Sequence, residues 1–269
     1  MKSIAIYTVI IIACCCYQVM AKTLVRVGAY EFPPYVELDR DQTKGLTVDL
    51  INQLNKIQQE YHFQLVLTTP VRRYIAYEQA MFDAIFFEDL NWGWQQRNIN
   101  IKNSSTVATD EEVFIALKRV AKSQLWFNDF SDKTITGILG YHYQIADYKI
   151  VPEVLEKKYN MTLVNDHQAS IELVLKQRTD AAIVTRSFLH QYSQQHPVQS
   201  DQLLISDRVA QVYQHQLLLR PDHKLDIATL FMWVQQLLQQ GKLNEQFKLL
   251  GLRHPPDKTM AVDTEHEHL

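Results

Sequence analysis

The chain has 269 residues, 46% of them hydrophobic, and a formal net charge of −3 from 27 basic and 30 acidic side chains. That is enough apolar material for one large domain or two of ordinary size, and it argues against disorder as the default state. The balanced charge offers no basic stripe to displace counterions from a phosphate backbone, which argues against a nucleic-acid partner.

Residues 1–21 read as a secretory signal. Lys2 supplies the positive end, the stretch from Ile4 to Cys16 supplies a short apolar segment, and Val19-Met20-Ala21 supplies small residues at the cleavage point. The segment falls short of the roughly 20 residues that span a bilayer, so the mature chain is expected to be soluble. Cys14, Cys15 and Cys16 all lie inside it, leaving the mature chain without a thiol. A lipoprotein signal with Cys14 as the lipid-bearing residue is the alternative. Both carry the protein out of the cytoplasm, and a periplasmic location is expected.

The first strand is predicted in "VRVGAYEFPPYVE", with Val25 and Val27 on one face, followed by a loop that presents Tyr30, Phe32 and Tyr35 around Pro33-Pro34. Large aromatics on a proline-stiffened loop call for a core or a ligand to cover them. "KGLTVDLINQLNKIQ" spaces Leu50, Ile51, Leu54 and Ile57 as one helix face, with Asp49 near its positive end. "FQLVLTT" is a strand, residues 71–79 a helix, and the segment through Ile85 a buried strand. The alternation of strand and helix is that of a parallel sheet with crossover helices. The pattern restarts with "EEVFIALKR" and "KTITGILG" as strands, "IELVLKQRTDAAIVT" as helix into strand, and "HQLLLRPD" as a strand. "LDIATLFMWVQQLLQQG" then places Ile227, Leu230, Phe231, Val234 and Leu238 on one helix face, closed by Gly241. Residues 257–269 show no apolar periodicity and are expected to form a flexible tail.

The chain resembles the periplasmic solute-binding proteins of the polar amino-acid type, two-lobed receptors of ABC importers. The motifs are "VRVGAYEFPPYVE", "GLTVDLINQL", "FDAIFFE", "TDAAIVT" and "LLQQGKLNEQFKLLG", in the family's order over nearly the whole mature chain. The resemblance implies an α/β fold with mixed sheets flanked by helices, two crossover hinge strands, and a ligand cleft closed by hinge bending. It sets lobe 1 at 22–107 plus 211–256 and lobe 2 at 108–210. It also places the aromatic loop in the cleft, and implies a monomer that hands a small-molecule ligand to an inner-membrane ABC permease without a cofactor.

By the same resemblance Arg97, in "RNINIKNSS", matches the arginine that clamps a ligand carboxylate, a role suited to a guanidinium because it pairs bidentately. A surface loop arginine is the other reading. Several positions depart from the family. Trp94 stands where the family has threonine. With Glu88 and Trp92 it fills a loop of usually small residues, either as a rewritten pocket or as a cap on the sheet edge. Thr185 stands where an aspartate holds the α-ammonium. A hydroxyl cannot neutralise a buried ammonium, so Glu88 replaces it from the other lobe or the ligand is not a simple α-amino acid. Tyr141, His142 and Tyr143 add bulk after Gly140, and His142 is read as a polar surface residue or a support behind the ligand contacts rather than as a contact itself. Of Arg72 and Arg73, one is free to reach the ligand and the other solvent.

Three functions follow. The first is a receptor in which Tyr30, Phe32, Tyr35, Arg72 or Arg73, Glu88, Trp92, Trp94, Arg97, Tyr141 and Thr185 line the site. The second is a sensing module without transport. The third is a periplasmic dehydratase-like enzyme with Glu88 as general acid. No Cys, His-Glu-x-x-His or other metal-ligand spacing occurs in the mature chain, "EHEHL" aside, and neither a Gly-x-Ser-x-Gly elbow nor a phosphate loop is present.

Overall fold

A computed structural model describes residues 21–39 and 42–252; the expected signal and tail lie outside the described residues. The elements in chain order are β1 (Thr23–Ala29), β2 (Glu37–Leu38), β3 (Thr43–Lys44), α1 (Leu46–Ile57), β4 (Tyr61–Leu67), α2 (Arg73–Glu78), β5 (Ala84–Glu88) and β6 (Lys102–Asn103). There follow β7 (Ala108–Leu117), α3 (Lys118–Ala121), β8 (Ile135–Ile138), α4 (Pro152–Tyr159), β9 (Met161–Val164), α5 (His167–Leu175) and β10 (Ala181–Thr185). The chain ends with α6 (Arg186–Gln195), α7 (Pro197–Ser200), β11 (Leu203–Leu219), α8 (Ile227–Gln239) and α9 (Asn244–Leu249).

The strands join in the order β4-β1-β5-β11-β7-β10-β8-β9, with β6 on β11. β1 runs parallel to β4 and β5, and β8 parallel to β9 and β10, the crossovers being helical as the alternating pattern requires. β11 is the seam. Its first part lies antiparallel to β7, from Leu203↔Leu117 to His215↔Ala108, and its last four residues lie antiparallel to β5, from Gln216↔Glu88 to Leu219↔Ala84. One strand therefore belongs to both halves of the sheet, and Gln211, Tyr213 and His215 sit at the changeover.

Side-chain alternation then decides what faces what. In β7, Val113, Ile115 and Leu117 pack with Ile171 and Val174 of α5 and Leu189 and Tyr192 of α6. Phe114 and Ala116 face the other way, into the cluster that also holds Tyr141, Tyr143 and Tyr213. Glu112, two residues before Phe114, is on that second face. In the first half, α1 buries Leu46, Leu50, Ile51 and Leu54, the face expected from its spacing apart from the half-buried Ile57. Each such side chain contributes about 1.5–3 kcal/mol of burial.

Candidate functional site

The aromatic loop after β1 turns back on itself: the Tyr35 and Val36 amides both donate to the Phe32 carbonyl, at 2.8 and 2.9 Å. This folds the rings into a stack, Tyr30–Phe32 at 6.0 Å and Phe32–Tyr35 at 4.7 Å between centroids. Phe32 meets Trp92 edge-on at 5.5 Å and Tyr141 at 5.7 Å, so residues from both halves of the sheet converge on it. Tyr35 lies deeper. It is fully buried, donates its hydroxyl to Asp110 Oδ2 at 3.0 Å and packs on Phe87 and His215.

The two arginines at the start of α2 separate as adjacent helical positions must. Arg72 is exposed, and Arg73 is 1% exposed. The Arg73 guanidinium donates from Nη1 to the Pro70 carbonyl at 2.5 Å and from Nη2 to the Trp92 carbonyl at 3.2 Å. It lies over the rings of Tyr30 at 4.9 Å and Tyr74 at 4.5 Å. Its Nε is 3.3 Å from Glu88 Oε2, an ion pair not aligned as a hydrogen bond. Glu88 in turn accepts from Trp94 Nε1 at 2.6 Å. Burial raises the Glu88 carboxyl, while Arg73, Trp94 and the Tyr30 hydroxyl pull it back down. The backbone is bent to deliver this residue: Phe87 adopts φ +57°, and the β5–β11 register shifts opposite it between Gln216 and Leu217. A bulky non-glycine residue in that region carries strain, which recurs where a site must aim a side chain.

The loop after β5 places only one of its tryptophans at the meeting point. Trp92 packs edge-on against Tyr213 at 4.7 Å. Trp94, 0% exposed, turns below to Tyr74 and Tyr77, where it holds Glu88. Arg97, the expected carboxylate clamp, is exposed with its guanidinium 4.3 Å above the Tyr74 ring, and it does not line the gap described below. The buried guanidinium of this region is Arg73.

The opposite wall comes from the loop after β8 and from β11. Gly140 takes φ +83°, and a side chain there would strike Val71 and Pro70. Tyr141 donates to the Glu31 carbonyl at 3.0 Å, and the Gln144 amide donates to Gln211 Oε1 at 3.0 Å, tying the loop to β11. His142 is buried against Tyr74, Nε2 to hydroxyl 3.4 Å, and burial beside Arg73 and Arg97 pushes it down to about 3, a neutral imidazole. Thr185 does not reach the gap. It is fully buried and caps α6, accepting from the Phe188 amide at 3.3 Å. Its register partner on β7 is Glu112.

Tyr30, Phe32, Arg73, Trp92, Tyr141, His142 and Tyr213 enclose a gap of about 10 Å³, room for roughly one water. Of its lining, Arg73 Nε, Trp92 Nε1 and His142 Nδ1 have no hydrogen-bond partner among the described residues, and neither do His215 Nε2 and both Glu112 oxygens, which lie behind Trp92 and Tyr213. Buried polar groups are nearly always paired, so this convergence marks a place where a partner fits. Tyr30, Phe32, Arg73, Trp92 and Tyr141 of the expected set line the gap and Glu88 stands behind it. Tyr35, Arg72, Trp94, Arg97 and Thr185 do not line it. Sequence reasoning missed Glu112, Tyr213 and His215; an acid two residues before Phe114 on an alternating strand was the available signal. An open groove of about 710 Å³ runs outside the gap, between the β2–β3 hairpin and α5–α6. Gln191 Nε2 bonds Glu37 Oε1 across it at 2.9 Å. Among the described residues, no three His, Cys, Asp or Glu side chains are grouped to hold a metal ion, and no helix is long and apolar enough to cross a membrane.

Residues 129–251 match the family of the periplasmic substrate-binding protein of the phosphonate ABC transporter. No curated protein matches the chain. Among solved structures it is similar to the putative binding component of an ABC transporter from Wolinella succinogenes complexed with lysine, with TM-score 0.65 and 16% identity over 89% of this chain and 99% of that one. It is similar also to the ancestral amino acid-binding protein AncCDT-1, a precursor of cyclohexadienyl dehydratase, at TM-score 0.64 and 16% identity over 84% and 94%. A histidine kinase sensor domain with similarity to periplasmic binding proteins gives TM-score 0.64 and 14% identity over 87% and 98%. The fold is that of the two-lobed periplasmic solute-binding proteins.

Proposed function

We propose that this chain, a two-lobed solute-binding protein by its fold, captures one small organic solute in the aromatic gap and delivers it outside the cytoplasm to an ABC permease, acting as a monomer. The lobes are 22–107 with 211–256, and 108–210. The observation that carries this reading is the convergence of unpartnered buried polar atoms on a gap walled by Tyr30, Phe32, Trp92, Tyr141 and Tyr213. Arg73 and the Trp92 indole N–H offer donors to an acceptor group of the solute, and the rings cover its flat or apolar part. The gap as it stands has room for about one water, so the solute enters an open form and is enclosed on closure. Contacts between the halves, Tyr141 to Glu31 and His142 to Tyr74, belong to the closed form.

Sensing without transport uses the same site, and the likeness to a kinase sensor domain favours it as the second reading. A general-acid role for Glu88 is disfavoured, because its carboxyl is engaged by Arg73 and Trp94.

Thermal-shift screening against small acids, amino acids and amines tests solute capture. A ligand at a hundred times its Kd stabilises by about 2.7 kcal/mol, a Tm rise of roughly 5–10 °C for a chain of this size. The shift is expected to vanish in Trp92→Ala and in the double variant Arg73→Met/Glu88→Gln, which removes the pair without stranding either charge. Unchanged shifts in both variants, or no stabilising solute at all, contradict the proposal.

A further inference from the structure

Glu112 is a buried carboxyl with which nothing in the site as described so far pairs. It is 0% exposed, neither carboxyl oxygen has a hydrogen-bond partner of normal geometry among the described residues, and the Tyr213 hydroxyl interacts with it and pulls it part of the way back down. Among the described residues, the groups that act on its carboxyl are the Tyr213 hydroxyl and the Asp110 carboxyl. On its own strand stands Asp110, which accepts from Ser187 and Tyr35. On β10 stands Thr185 and on β11 stand Gln211 and Tyr213. From the loop after β8, Tyr141, Tyr143 and Tyr148 come near enough for its charge to raise their hydroxyls. Among the described residues no lysine, arginine or histidine holds it in the charged form, and burial pushes it up to about 8. It is a neutral acid at pH 7, and Tyr141 and Tyr213 connect it to the gap.

A lone carboxyl is costly to bury, and a cation is the partner that reverses the cost, because it turns an unfavourable acid into one half of an ion pair. The walls suit the same guest: the faces of Trp92, Phe32 and the tyrosines attract a cation by their quadrupoles. Arg73 does not fill the role, being paired with Glu88 on the far side. We propose that Glu112 is a cation-accepting group of this gap: an amine-bearing solute sets its ammonium against the Glu112 carboxyl, which gives its proton to solvent as the solute binds. The ammonium keeps its own protons, so charge and hydrogen balance with one proton released per solute. This rests on the solute-capture reading above and adds the solute class and its pH coupling.

Solute affinity is then limited by the fraction of protein with Glu112 ionised. With the acid titrating at about 8, that fraction rises roughly twentyfold between about pH 6 and about pH 7.5, and the apparent affinity with it. An alkylamine or amino acid stays protonated at its amine over this range.

The test uses the full chain and matched probes: L-amino acids and simple alkylamines, each beside the analogue with hydroxyl in place of amine. Expected are binding by an amine and not by its hydroxyl analogue, affinity rising about twentyfold over that pH range, and close to one proton released at pH 7 in calorimetry across buffers of different ionisation enthalpy. Glu112→Gln keeps the size and neutrality of the resting acid, so it folds as the parent does. It is expected to lose the pH dependence and the preference for the amine. An amine that binds with flat pH dependence, or equally well to Glu112→Gln, overturns the proposal. Binding by hydroxy acids or neutral solutes alone, lost in Trp92→Ala, overturns this proposal and leaves solute capture standing. No binding by any probe overturns both.

Discussion

Among the buried groups with displaced titrations near the meeting of the two halves are two acids and two histidines whose signs oppose each other. Burial pushes Glu112 up to about 8 and Asp110 up to about 6, whereas His142 and His215 are pushed down to about 3. His167, fully buried against Phe188, is also pushed down to about 3. For the two acids the folded state holds protons that the unfolded chain has released, so stability falls as pH rises towards their folded values. For the histidines the unfolded chain binds protons that the folded state refuses, so stability falls as pH drops below about 6.5. Above about pH 6.5 the histidine contributions fade within about one pH unit, and Glu112 is the group among these five that titrates towards pH 8. Stability of the unliganded protein is therefore expected to peak between about pH 6.5 and 7 and to decline by about 1 kcal/mol by pH 8. Urea midpoints across this window in the parent and in Glu112→Gln measure it. A decline that persists in the variant assigns the effect elsewhere. At this scale the sequence was only partly legible. The ring cluster on the Pro33-Pro34 loop could be read because exposed aromatics demand cover. Arg73 could not be told from Arg72, since only the phase of a six-residue helix decides which is buried. Matching offsets fix the place of Arg97 in the chain but not its burial, and its guanidinium is exposed over Tyr74.

Among the elements, α6 shows what a residue at a strand end does when it is not a ligand contact. Thr185 closes β10 and at once caps α6 through its hydroxyl. Thr185→Ala is expected to cost about 1 kcal/mol, a Tm loss of about 2–4 °C, with solute affinity unchanged. Affinity falling tenfold at equal stability would return Thr185 to the site. The elements legible in sequence are those whose apolar spacing is uninterrupted: α1, α8 and the strands ending at Glu88 and Thr185. The strand read at "HQLLLRPD" is in fact the last part of the 17-residue β11. Its first two-thirds run through Ser206, Asp207, Arg208 and the polar Gln211 and Gln214, with register shifts either side of Val209 that break the period of two. Tertiary pairing with β7, not local pattern, makes this segment a strand, and so Tyr213 and His215 stayed hidden.

On the scale of the whole molecule, function depends on the seam. β11 pairs with both β7 and β5, and across it the rings of Phe32 and Trp92 meet Tyr141 and Tyr213. An indole N–H and a buried arginine line one small space, and the Glu112 carboxyl lies behind its Tyr213 wall. A solute that pairs with these groups favours the closed form by its differential affinity alone. The most direct test is a crystal structure of the chain with the amine recovered from screening. The account predicts the solute between Phe32, Trp92, Tyr141 and Tyr213, with its ammonium within hydrogen-bond distance of Glu112. A solute seated instead in the outer groove between the β2–β3 hairpin and α5–α6, with the aromatic gap unchanged, would contradict it.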